Sequence, residues 1–195
     1  KITRGGKLAR IWEGILAANA CLIPLKINVV ILANFNADEV ETWIEAAAKM
    51  DLTVRFLELM PVGPGARLAQ LGQFLDLETL REHLCHNHKL TPCPDIQGNG
   101  PARYWTLPHG RGRIGFITPM SRSYCNTCNR LRLTCDGHLR PCLASDLSIP
   151  CKDIIVSRDA EALCRAFQSA ADLKPAGHRW RDGHTSIHGM STLGG

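Results

Sequence analysis

The sequence predicts an α/β fold that passes into an α+β part after residue 64. Two patterns carry this reading. Apolar segments of helix and strand period alternate through residues 8–60, and after Gly65 short strand-like runs and a cysteine cluster take over. Composition agrees: of 195 residues 45% are hydrophobic and 21% charged, as in ordinary soluble globular chains.

The elements follow in chain order. Leu8, Ile11, Trp12, Ile15 and Leu16 recur on one helical face, which predicts a helix over 8–20. Pro24 breaks that pattern, and KINVVIL (26–32) predicts a strand buried on both sides. A turn is expected at 34–36, with Asp38 as the N-cap of a second helix that turns Val40, Trp43, Ile44 and Ala47 inward. TVRFLELM (53–60) predicts the next strand, ended by Pro61 and Gly63. Helix, strand, helix, strand implies βαβ units on a parallel sheet. Two such units neither close a barrel nor bury both sheet faces, so the chain is expected to be a piece of a longer protein.

Beyond Gly65, Leu77, Leu80 and Leu84 predict a helix over 77–88, and a Pro/Gly-rich connection follows over 92–101. ARYWTLP and GRIGFITPM predict a hairpin across HGRG. Leu131 and Leu133 alternate with Arg130, Arg132 and Thr134 as in a half-buried strand, and Asp136-Gly137 is a turn signal. A last helix is expected over 159–173 with Leu163, Cys164, Phe167 and Ala170 inward, followed by a polar His- and Gly-rich tail. Cys21, Cys85 and Cys164 lie among apolar or helical residues and read as small buried hydrophobes.

A net charge of +5 suits an anionic ligand. Without a Lys/Arg run, and with Tyr124 the one aromatic in the cysteine stretch, nucleic-acid binding is not expected. No apolar run approaches the ~20 residues that cross a bilayer, so no membrane partner is expected. The opening KITRGGKLAR lacks the apolar core of a secretory signal, and nine cysteines do not pair evenly. A reducing, cytoplasmic compartment is expected, where clustered cysteines more often bind metal.

The cluster is SYCNTCNRLRLTCDGHLRPCL (123–143). Cys125 and Cys128 lie two residues apart, and a strand, a turn and a second strand bring Cys142 back beside them, a strong metal pattern. Zinc would need a fourth ligand, which Cys135 or His138 would have to supply from the far side of the hairpin. An iron–sulfur cluster held by three cysteines would instead keep one iron open to a ligand atom. A Cys125–Cys128 disulfide is the third alternative. Arg130 and Arg132 share a strand face, and paired guanidiniums there read as clamps for phosphate oxygens or as a solvated face.

These motifs resemble a known family. CNTCNRLRLTCDGHLRPCL, preceded by GFITPM, together with KINVVIL, VRFLELMP and the Gly-Gly terminus, is similar to the C-terminal portion of the GTP 3',8-cyclases of molybdenum cofactor (molybdopterin) biosynthesis. The likeness extends over nearly the whole chain. Those are radical S-adenosylmethionine (SAM) lyases. The resemblance implies an incomplete (β/α) barrel, of which residues 1–64 would be a remnant, and a C-terminal α+β iron–sulfur domain over 65–195. It implies a [4Fe-4S] cluster on Cys125, Cys128 and Cys142 whose open iron holds the guanine of GTP. Lys26, Arg55, Arg130, Leu131 and Arg132 would bind GTP, Met60 would contact SAM, and Gly194 and Gly195 would form the tail that reaches the active site. The family converts GTP to 3',8-cyclo-7,8-dihydroguanosine triphosphate with SAM and a second [4Fe-4S] cluster on CxxxCxxC. These 195 residues contain no CxxxCxxC, so this chain alone is expected to be inactive. A homodimer is allowed for. The competing reading is a zinc- or iron–sulfur-binding module without catalysis.

Overall fold

The computed structural model describes residues 5–94, 100–108, 112–184 and 186. In chain order the elements are α1 (Leu8–Ala20), β1 (Lys26–Val30), α2 (Val40–Met50), β2 (Thr53–Leu57), α3 (Pro64–Gln70), α4 (Leu77–Asn87), β3 (Thr91–Pro92), β4 (Arg103–Thr106) and β5 (Arg113–Ile117). There follow β6 (Arg132–Leu133), β7 (His138–Arg140), β8 (Ile149–Pro150), α5 (Lys152–Ser157) and α6 (Ala160–Asp172).

The main sheet is mixed, in the order β1-β2-β5-β4-β3. β1, β2 and β5 run parallel, while β4 pairs antiparallel to β5 as the predicted hairpin. The sheet therefore crosses position 64. Side chains two apart share a face. One face carries Val29, Val54, Phe56, Ile114, Phe116 and Trp105, packed with Val40, Ile44 and Ala47 of α2 and Leu77 and Leu84 of α4 into the largest core. The other carries Lys26, Asn28, Val30, Arg55, Arg113 and Tyr104, all exposed or half-buried. Across it, Asn28, Arg55, Gly115 and Tyr104 form one row. A Cβ on Gly115 would stand 2.9 Å from Tyr104 Cε1 and 3.0 Å from Arg55 Cγ, so only glycine lets both side chains cross it.

A second sheet, β6-β7-β8, packs on α6 through Leu139, Cys151, Ala166 and Ala170. Its turn holds Gly137 at φ +83°, the left-handed region that glycine adopts without a Cβ penalty. Thr134 Oγ1 accepts from His138 N at 2.9 Å and closes that turn.

Several expectations need correction. β1 stops at Val30, and Lys26, Asn28 and Val30 are exposed, because it is an edge strand with one uncovered face. Asp38 is not an N-cap; a 3-10 turn over Ala37–Glu39 runs directly into α2, and no side chain caps it. β2 ends at Leu57, three residues early, because Glu58 turns its carboxylate to the loop after β5. The helix α3 was not expected, although Pro64 at its first position is a standard helix start. α1 forms as predicted but buries no residue. On α6 the buried positions are Ala166 and Ala170, while Cys164 and Phe167 face solvent. Small alanines let that helix lie close to β7, and the rotation turns Phe167 outward. Cys21 is also exposed, and Cys85 is only partly buried. The strand at 130–134 shrinks to β6, with Leu133 exposed.

Candidate functional site

The site lies beyond the C-terminal ends of β2 and β5, where parallel strands commonly present ligands. Met60 follows β2 and Pro119 follows β5, and both line a cavity of about 130 Å³. Its remaining wall comes from Tyr124, Cys125, Cys128, Arg130, Arg132 and Cys142, closed by Lys174, His178 and Trp180. The structure thus gathers six of the predicted site residues around one space.

Local contacts explain how they meet. Glu58, 1% exposed, accepts from Met120 N at 2.7 Å, Ser121 N at 3.0 Å and Leu77 N at 3.2 Å, and also bonds Ser121 Oγ. One carboxylate so joins the end of β2, the start of α4 and the loop that leads to Cys125. Cys125–Thr127 is a single 3-10 turn, which sets Cys125 and Cys128 on one bend. Pairing of Arg132 with Arg140 then returns the chain toward Cys142. His178 Nε2 donates to Pro119 O at 2.7 Å and its ring stacks on Trp180 at 4.4 Å between centroids. Trp180 and Val62 form a small third core with Met60, Met120 and Leu143.

The electrostatics favour an anion. Among the described residues, neither Arg130 nor Arg132 forms an ion pair with a carboxylate, whereas Arg140 is buried and bonds Ser186 Oγ at 3.3 Å and Asp146 at 3.4 Å. Burial, reinforced by the Cys128 and Cys125 thiols, pushes the Tyr124 phenol up to about 12, against the pull of Arg132 and Arg130. Tyr124 therefore remains a protonated donor at ordinary pH.

The other predicted residues fall elsewhere. Lys26 opens β1 and lines a recess with Thr53 and Arg113 at the N-terminal ends of the strands. Arg55 lies on the open sheet face, where its Nε donates to Asn28 Oδ1 at 2.7 Å. Leu131 points the other way from Arg130 and Arg132 and packs on the second core. Cys135 is exposed at the turn and Cys151 is fully buried; neither they nor His138 line the cavity. Gly194 and Gly195 lie outside the described residues. Sequence reasoning missed Glu58, Arg113, Lys174, His178 and Trp180. The dense polar run KPAGHRWRD directly after a helix was the available signal for three of them.

The donor set suits an iron–sulfur cluster. All three cavity cysteines are free thiols, so no disulfide joins Cys125 to Cys128. Ala144 N donates to Cys142 Sγ at 3.4 Å, the type of bond that supports cluster sulfurs. Among the described residues no three His, Cys, Asp or Glu side chains are gathered for a single ion. Cluster ligands bind separate irons and stand further apart than the ligands of one ion.

Comparison with known proteins places the chain in a family. The family described as Molybdenum Cofactor Synthesis C matches residues 52–180. The GTP 3',8-cyclase of Moorella thermoacetica is 43% identical over 196 residues, which cover 100% of this chain and 60% of that protein. The GTP 3',8-cyclase of Petrotoga mobilis is 37% identical with the same coverage, and that of Heliobacterium modesticaldum 40% identical over 93% of this chain and 56% of its own length. The chain thus spans about three fifths of the length of the curated relatives it matches. Since the matched segment takes in four of the five strands of the main sheet and the whole three-cysteine cavity, the chain belongs to the molybdenum cofactor synthesis C family.

Proposed function

We propose that this chain is the GTP-holding, iron–sulfur portion of a GTP 3',8-cyclase, acting in molybdenum cofactor biosynthesis. The observation that carries the reading is one cavity lined by three free cysteines, Met60 and two arginines that form no ion pair among the described residues. Cys125, Cys128 and Cys142 would hold a [4Fe-4S] cluster. Bound there, it would supply one iron position open to a donor atom of the guanine base.

The protein's own groups do the rest. Arg130 and Arg132 present forked donors to anionic oxygens at the cavity wall. Leu131 anchors their strand to the second core so that both guanidiniums stay on the cavity side. Lys26, Arg55 and, newly, Arg113 lie on one open sheet face and offer further positive charge to the phosphates. Met60 borders the cavity at the end of β2, where SAM would approach. Residues 1–64 would then be part of a (β/α) barrel whose sheet continues through β5, β4 and β3 into the cluster-bearing part over 65–195. Conversion of GTP to 3',8-cyclo-7,8-dihydroguanosine triphosphate by radical SAM chemistry would belong to the whole protein, with its CxxxCxxC cluster, rather than to these residues alone.

The test is anaerobic iron–sulfur reconstitution followed by GTP titration. A brown protein whose electron paramagnetic resonance changes with GTP supports the reading. A colourless zinc protein, or a cluster that GTP leaves unchanged, sinks it.

A further inference from the structure

We propose that Lys174 is a positioning residue for the three-cysteine site: its ammonium bridges the two chain ends that carry Cys128 and Cys142 and leaves its charge at the cavity wall. The inference rests on the iron–sulfur reading above.

Lys174 Nζ donates to Arg130 O and to Pro141 O, each at 2.8 Å. Arg130 lies two residues past Cys128, and Pro141 immediately precedes Cys142. The backbone ladder does little there. β6 and β7 pair only at Arg132–Arg140 and Leu133–Leu139, so the base of the hairpin lies beyond the last paired residues. One ammonium spans that base in place of ladder bonds. It is well placed to do so: Lys174 comes two residues after α6, which Ala166 and Ala170 seat against Leu139 of β7.

Its charge is also uncommitted. Among the described residues Lys174 forms no ion pair with a carboxylate, and its side chain lines the same cavity as the cysteines. An ammonium has three donors, and the two carbonyls use two. A positive charge beside thiolate-bound iron favours the more negative, reduced state and so raises the reduction potential, while a bond next to a ligand fixes its direction. The same post-helix segment steadies the other flank, where His178 holds Pro119 O and Arg181 holds Met120 O. Among the described residues, only Lys174 both bridges the two chain ends and carries a positive charge at the cavity wall.

The experiment compares wild type, Lys174→Gln and Lys174→Arg after anaerobic reconstitution. It reads iron retained against a chelator and the reduction potential followed by electron paramagnetic resonance. Lys174→Gln is expected to retain the cluster about tenfold less well or worse and to shift the potential negative; Lys174→Arg is expected to return the potential to the wild-type value. Wild-type retention and potential in Lys174→Gln overturn the proposal, even if its melting temperature falls, because a merely structural contact would do only that. Equal potentials in the Gln and Arg variants overturn it too. Should Lys174→Gln not fold, a shifted potential in Lys174→Arg decides against the proposal. A wild-type chain that takes up no cluster defeats the underlying reading first, and is recognised before any variant is made.

Discussion

Arg130 and Arg132 differ from Arg81, Arg103 and Arg140 in what their guanidiniums meet. Arg103 and Arg81 both bind Glu78 and flank Trp105 at 5.6 and 5.3 Å, while Arg140 is buried against Ser145 O, Ser186 Oγ and the Asp146 carboxylate. Those three are committed to structure; the cavity pair is not. Replacing Arg132 by Ala should therefore weaken GTP binding by about 1–3 kcal/mol, the loss of a charge-assisted bond, measured by calorimetry on reconstituted protein. Unchanged affinity would remove the clamp. Glu78 gives the opposite kind of prediction. Burial raises its pKa, but hydrogen bonds from Arg81 and Arg103 outweigh burial and hold it below the ordinary 4.5. A depressed carboxylate contributes stability above its unfolded pKa and loses it as pH falls through the folded value. Glu78→Gln should cost about 1–3 kcal/mol at neutral pH, and the gap to wild type should close as pH drops below 4.5. A gap that stays constant in denaturant titrations across that range would show that charge is not the cause.

At the scale of elements, the β6–β7 hairpin depends on Gly137. Any side chain there meets both the positive φ and Lys152, whose Cβ would lie 2.8 Å from a new Cβ. Gly137→Ala should destabilise the fold by roughly 1–2 kcal/mol and lower iron retention, since Cys142 follows this turn's far strand by two residues; a variant with full stability and iron content would detach the turn from the site. This turn was legible as DG, and so were the β4–β5 hairpin, α4 and the CxxC with its returning cysteine, because each is written in local pattern. What was not legible depended on packing at a distance. The inward face of α6 is set by two alanines that fit closely against β7, a choice invisible beside the more hydrophobic Phe167. Glu58 sits within an apolar strand pattern, and nothing local says that three segments will converge on its carboxylate. Lys174 and His178 reach the cavity only because α6 docks first.

For the molecule as a whole, stability is expected to be uneven. The largest core lies under β2 and β5, whose Val54, Phe56, Ile114 and Phe116 are fully buried, while the second and third cores are small. α1 contributes no buried residue and leaves Leu8, Ile11 and Leu16 more than half exposed; a Trp12–Trp43 stack at 5.6 Å and Ile15 are its main ties to the rest. Backbone protection follows burial and contact density, because amides exchange through the cheapest opening available. Hydrogen exchange should therefore be slowest in β2 and β5, intermediate in β7 and α6, and fastest among the helices in α1. Trp12→Ala should release α1 without moving the protection of β2, since the stack lies outside the sheet ladder. If α1 amides exchange as slowly as those of β2, the helix must have a cover that this packing does not supply, and its exposed apolar face would then belong to an interface.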